Sequence, residues 1–355
     1  MNGIPGATDD IPFRKDTWLM KYDFLTGSYA GRDETGIHRV CFDPAAGFCV
    51  LASVKGLENP SYVLAHPNGR AFYAVEETGE GRVREGRLDG DMPLSPVIFP
   101  TEGASPCHLA LSEDLRYLYA ANYSGGSLAA FAMDEAGGIT GRTDVRRHVG
   151  AGPNAARQEA AHVHFSMALE GLVYVCDLGM DAIVIYQNDA GHLMEAGRVA
   201  MPAGSGPRHL AHSGRHPGWL YCVAELDSRV YALRRAADGW SVDHAASILP
   251  QVFAGENIAA AIRVTDDGKL LLASNRGHDS IAVIPLGPDG RLGEPVISPC
   301  VAEPRDFVVC GDCVLAASQR DSVIRAYRLN RETLRLEDTG MGLEICHPVC
   351  LCPLK

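Results

Sequence analysis

No apolar run in this chain approaches the roughly 18 residues that a membrane-spanning helix requires, so a helical integral membrane protein is excluded. The N-terminus lacks the basic-then-apolar pattern of a secretory signal, and a cytoplasmic location is expected. Positive charge is scarce. Thirty-two Lys and Arg face 44 Asp and Glu, and the net charge of −12 disfavours nucleic acid or an anionic membrane as a partner. A disulfide framework is not expected either: the 11 cysteines are an odd number, and Cys41, Cys49, Cys176 and Cys222 sit inside apolar segments. Cys310-Gly-Asp-Cys313 has metal-like spacing but no second pair nearby, and reads as a strand-turn-strand coincidence.

What is present is a soluble globular composition, 46% hydrophobic and 21% charged, with 38 glycines and 21 prolines scattered at turns rather than clustered. Short apolar strands recur, each closed by a polar residue or a glycine: Gly27, Glu76, Asn122, Asp177, Glu225, Asn275 and Gln319. A second series opens strands at Pro60, Pro106, His162, Pro207, Ala259, Pro304 and Pro348. Successive members lie 44 to 56 residues apart, the period of a propeller with one blade per repeat. Seven repeats fit, so the expected fold class is all-β, a seven-bladed propeller of four antiparallel strands per blade.

Each repeat reads as strands A to D with turn pairs such as Asn68-Gly69 and Asp89-Gly90 between them. The last repeat stops at HPVCLCPL, while residues 18–55 supply three strands without a fourth. The C-terminal strand is therefore expected as the innermost strand of a blade shared with the N-terminus, removing the open edges. Residues 1–16 are unpatterned and expected as a flexible arm, with 17–355 as one propeller domain.

Strands A and B are antiparallel neighbours, so the start of A and the end of B share one face of the disk. Aligned on that basis, one mouth of the channel collects His108, His164, His209, Arg208, Arg276, Arg305, Arg320, Asn122, Asp177 and Glu225. A cluster of arginines on a concave face of an acidic protein suggests a small anionic ligand. A structural reading stands beside this: Asn122 and Asp177 as turn caps, His108 and His209 as residues bonding between blades. His162 and His164 alternate on a strand, which would turn both rings to one side and suit a metal. No acidic or cysteine partner in register completes such a site, so no metal or other cofactor is expected.

The segments LTGSYAGRDETGIHRVCFDP, HVHF, VYVCDLGMDAIVIY, GPRHLAHS, VAELDSRVYAL and SNRGHDS, in this order, closely resemble the seven-bladed lactonase family. That family includes propeller-type 6-phosphogluconolactonases and fungal 3-carboxy-cis,cis-muconate lactonizing enzymes. The resemblance spans about residues 22 to 353 and implies active-site roles for His164 (with His162 as the other candidate), Arg208, Glu225 and Arg276. The implied activity is hydrolysis of an anionic sugar lactone, with muconate cycloisomerisation as the alternative. On this reading His164 is the base, Glu225 its orienter or an acid, and Arg208 and Arg276 the anion and oxyanion clamp. His162, His108, His209, Asn122, Asp177, Arg305 and Arg320 are candidate substrate contacts. His108, His164 and His209 are read as occupying equivalent places in three blades. Asp177 and Glu225 are expected to raise the His164 pKa, and the arginines are expected at solvent-facing strand ends. A non-catalytic binding propeller is the reading from another class, but the mouth offers only Tyr62 and Tyr123 as aromatics. The sequence carries no signal for oligomeric state.

Overall fold

The computed structural model describes residues 20–237 and 239–354; the expected arm at 1–16 lies outside the described residues. All regular secondary structure in it is β-strand, arranged as seven sheets of four antiparallel strands. Blade 1 is the shared one: Pro348–Pro353 lies innermost, followed by Tyr22–Ser28, Thr35–Asp43 and Gly47–Lys55. Its closing pair sets Thr26 opposite Leu351 and Phe24 opposite Pro353. Blades 2 to 7 then run consecutively along the chain, from Val63–Pro100 to Pro304–Glu344.

Alternation within each strand turns apolar residues to both faces of a sheet, because both faces meet another blade. Seven apolar layers result, one for each neighbouring pair of blades. The closing blade contributes to two of them. Phe24, Val40 and Leu351 pack against Leu315 and Ile324 of blade 7, while Leu25 and Ile37 pack against Val63 and Phe72 of blade 2. A fully buried Leu or Phe contributes about 1.5–3 kcal/mol by leaving water.

Four buried tyrosines of consecutive B strands add a polar link to four of the seven layers, those from blade 2 to blade 6, since a buried hydroxyl needs a partner. Tyr73 donates to the Gly137 carbonyl in the C–D turn of the next blade, and Tyr221 to the Gly290 carbonyl at 2.7 Å. Tyr119 accepts from Asn188 at 2.7 Å, and Tyr174 from the Trp240 indole at 3.1 Å. The C–D turns therefore fix the spacing of blades as well as joining strands.

Leu351→Ala should lower stability by about 2–5 kcal/mol, because it opens a cavity in the closing layer. Val97→Ala, at a 51% exposed outer-strand position, should cost less than about 0.5 kcal/mol. Guanidinium unfolding midpoints check the contrast. An unshifted midpoint for Leu351→Ala would remove the C-terminal strand as a stabilising element.

Candidate active site

The inner strand of six blades begins with a bulge. Pairing slips by one residue between Pro106 and His108, Val163 and Phe165, Pro207 and His209, and Pro304 and Asp306. Blade 1 slips between Pro348 and Cys350, and blade 6 between Ala259 and Ile262. The residues left without a pairing partner include Cys107, His164, Arg208 and Arg305. Bulges re-aim side chains in this way next to functional sites. A second register comes, in six blades, from the residue following strand B, whose N–H bonds back to the carbonyl ahead of strand A. These residues are Tyr29, Glu77, Tyr123, Leu178, Glu225 and Gln319, with donor–acceptor distances of 2.7–3.3 Å.

This register corrects the sequence alignment in both series; in the second, Tyr29, Tyr123 and Leu178 stand where Gly27, Asn122 and Asp177 were expected beside Glu225. His164 corresponds to Cys107, Arg208 and Arg305, not to His108 and His209, because Val163 rather than His162 matches the strand-opening prolines. Glu77, not Glu76, corresponds to Glu225. Glu76 instead lies inside its blade, 3.6 Å from Arg84 and 3.0 Å from Arg32.

Glu225 is the hub of the mouth. One oxygen accepts from Arg208 Nε and from Arg276 Nη2, each at 2.8 Å, and the other accepts from Arg157. Two glycines make this possible. Gly206, at φ 64°, supplies the carbonyl that takes the Glu225 N–H at 2.7 Å. Gly277, at φ 115°, follows Arg276 where a Cβ would strike the Glu256 carbonyl oxygen. The guanidinium groups are anchored on backbone carbonyls as well: Arg208 on Ala260 at 2.6 Å and Arg276 on Ala259 at 3.0 Å.

Burial alone would raise the Glu225 pKa, but Arg276, Arg208, His164 and Arg157 outweigh it and hold the carboxyl well below its usual range. Burial lowers Arg276 to about 9, with Arg208 and Arg305 adding to the effect against Glu225. Arg208 and Arg276 are only 3% and 8% exposed, so the expectation of solvent-facing arginines does not hold.

His164 is buried, and neither ring nitrogen has a hydrogen-bond partner among the described residues; its Nδ1 is fully enclosed. Tyr123 stands edge-on to it at 5.6 Å. Its pKa is pushed well below 6.5, first by burial and then by Arg208, with Arg305 and Arg276 adding and Glu225 opposing. The expected upward shift is therefore reversed. Asp177 has no part in it, being bonded to His148 Nδ1 at 2.7 Å and to the His162 N–H at 2.8 Å.

One residue further along the inner strands, His108 and His209 join Tyr62 and Phe165 in a packed layer. The His108 ring lies 4.2 Å from Phe165 and 5.6 Å from His209, which belongs to a blade two places away. Burial lowers both histidine pKa values well below 6.5. His209 Nε2 sits 3.1 Å from Arg208 Nη1 as its acceptor, so this ring braces the clamp.

The remaining candidates divide. Arg305 lies in the mouth, donating to Tyr29 Oη at 2.9 Å. His162 stacks on Tyr123 at 4.5 Å and donates through Nδ1 to the Tyr123 carbonyl at 3.1 Å. The bulge at His164 interrupts the alternation that would turn both rings to one side, and Tyr123 meets His162 stacked but His164 edge-on. Asn122 donates to Ser127 at 3.1 Å within its blade, and Arg320 pairs with Asp279 at 2.6 Å on an exposed turn. Among the described residues no three His, Cys, Asp or Glu side chains gather as a metal site.

Sequence reasoning placed Ser61 at the mouth but missed Arg157, Tyr29 and Glu77. Arg157 sits on the long connection from Arg147 to Val163, pinned by buried Gln158, whose side chain donates to the Leu178 carbonyl at 2.8 Å. Nothing in strand periodicity marks a loop residue of this kind.

The sequence matches the family described as Lactonase, 7-bladed beta-propeller, over residues 23–353. It is 29% identical to a 6-phosphogluconolactonase of Bacillus subtilis, covering 94% of this chain and 98% of that protein. A 6-phosphogluconolactonase of Formosa agariphila is 30% identical over 90% of this chain and 96% of its own. The solved structure of a periplasmic gluconolactonase from Pseudomonas aeruginosa superimposes with a TM-score of 0.86 at 28% identity, covering 95% of this chain and 99% of that one. With fold, motif order and nearly the whole length in agreement, this chain belongs to the lactonase family of seven-bladed β-propellers.

Proposed function

We propose that this lactonase hydrolyses an anionic sugar lactone of the 6-phosphogluconolactone kind, with His164 as base and the mouth arginines as clamp. The observation that carries the reading is the charge of the mouth. Four guanidinium groups, Arg157, Arg208, Arg276 and Arg305, face two carboxylates, Glu225 and Glu77. That excess of two positive charges sits in a protein of net charge −12. The relatives named 6-phosphogluconolactonase support the substrate class.

In this mechanism the neutral His164 imidazole takes a proton from the attacking water as its oxygen bonds to the lactone carbonyl carbon. The negative charge that develops on the carbonyl oxygen meets Arg208 or Arg276, forked donors already held in place. Collapse of the tetrahedral intermediate breaks the bond to the ring oxygen, which takes the proton back from the imidazolium. Glu225 stays ionised throughout, which supports an orienting role for it and argues against an acid. The partly exposed Arg157, beside Glu225, would take the phosphate or carboxylate of the substrate.

Hydrolysis of 6-phosphogluconolactone, coupled to oxidation of the product, tests the proposal, with 3-carboxy-cis,cis-muconate assayed in parallel. Faster turnover of the muconate would replace hydrolysis by cycloisomerisation, and no turnover of either would overturn both.

His164→Gln should reduce kcat by about 10²-fold or more. The neutral ring is the active form and its pKa lies well below 6.5, so kcat/KM should stay level as pH falls through 6.5. An acid limb near 6.5 in the wild type would remove His164 as the base.

Arg157→Ala should raise KM for an anionic lactone while leaving thermal stability near wild type, because this side chain is partly exposed. Arg208→Ala should also cost about 1–3 kcal/mol of stability, through its lost buried hydrogen bonds. Kinetics and unfolding curves run on the same preparations separate the two effects.

A further inference from the structure

The arc of the mouth built by blades 7, 1 and 2 holds a carboxylate that the mechanism above leaves unused. Glu77 follows strand B of blade 2 and is half-buried. It accepts from the Tyr29 hydroxyl on both oxygens, at 3.1 and 3.0 Å, and from the Ser61 hydroxyl. Arg305 stops one step short: it donates to Tyr29 Oη at 2.9 Å, its guanidinium 5.3 Å from that ring's centre. No Lys or Arg pairs directly with Glu77 among the described residues. By contrast, Glu225 on the far arc meets three arginines.

The Tyr29 proton is shared between the two oxygens and the Ser61 proton goes to Oε2, so at least one of the four lone-pair sites on the Glu77 carboxylate, on Oε1, stays open. Two neutral partners thus hold a negative acceptor at fixed orientation in a mouth that is otherwise cationic. Such a group repels any carboxylate brought to it and accepts well from neutral hydroxyls, since charge-assisted hydrogen bonds are the strong ones. A cationic ligand would meet the surplus of arginines.

We propose that Glu77, oriented by Tyr29 and Ser61, reads the hydroxyl groups of the substrate. The ligand class is then a polyhydroxylated molecule with its anionic group at one end, taken phosphate-first at the arginine arc, rather than a polycarboxylate. This deepens the lactone reading and rests on it for the reaction, though the binding claim is separable.

Two phosphate monoesters with six-carbon chains test it by calorimetry: sorbitol 6-phosphate, rich in hydroxyls, and hexyl phosphate, which has none beyond the phosphate. Wild type should bind the sorbitol ester at least about tenfold more tightly, the scale of one hydrogen bond to a charged group. Glu77→Gln should cut that preference to about threefold or less while leaving hexyl phosphate within about twofold. Equal binding of the two esters by wild type, or an undiminished preference in the variant, would overturn the proposal. Should Glu77→Gln bind neither ester, Tyr29→Phe decides: a preference reduced at least about threefold supports the proposal, and an unchanged one overturns it. A preference without lactone turnover would remove only the hydrolase reading, and turnover without a preference only this one.

Discussion

An unpaired residue near the start of the inner strand, repeated in six of seven blades, governs what the channel mouth is made of. In a regular strand, neighbours point to opposite faces, so a channel-facing residue would be followed by one buried between blades. The bulge breaks that alternation where the strand meets the mouth. Arg208 and His209, or His164 and Phe165, can then both contribute near the axis. One supplies a polar tier and the next a packed floor. The scaffold beneath, with its apolar layers and tyrosine links, keeps these tiers in register.

On that framework one carboxylate sets the electrostatics. Glu225 cannot neutralise three arginines, so the cluster keeps a surplus of positive charge that backbone carbonyls and burial hold in place. The surplus suppresses protonation of the adjacent imidazole more strongly than Glu225 favours it. Burial is the first reason that His164 stays neutral and the arginines add to it, so the same cluster bears on the orientation of the guanidinium groups and on the proton state of His164. A change at Glu225 would be felt at both.

The repeat length, the turn pairs and the split closing blade were all legible in the sequence, because each depends on local spacing and on the need to satisfy sheet edges. Arg208, Glu225, Arg276 and His164 were legible as a set, because charged residues at strand ends stand out against apolar strands. The register among them was not. Blade 4 opens on Val163 where five other blades carry proline, and taking His162 as the marker shifted that blade by one residue, which in a strand changes the face. A separate one-residue slip in blade 2 put Glu76 where Glu77 belongs. Arg157 was invisible for another reason: its loop shows no periodicity, and only tertiary packing brings it to Glu225.

The pairing of Pro348–Pro353 with Tyr22–Ser28 also has a bearing on how the molecule is made. Those strands are separated by more than three hundred residues, and the inner one leaves the ribosome after every other strand of the ring. Until then the N-terminal three-stranded sheet must wait with its inner edge unpaired, and two apolar layers remain incomplete. Long-range β pairing of this kind is slow and exposes surfaces prone to association. For this protein the vulnerable interval of biosynthesis is the time between emergence of residue 55 and emergence of residue 353.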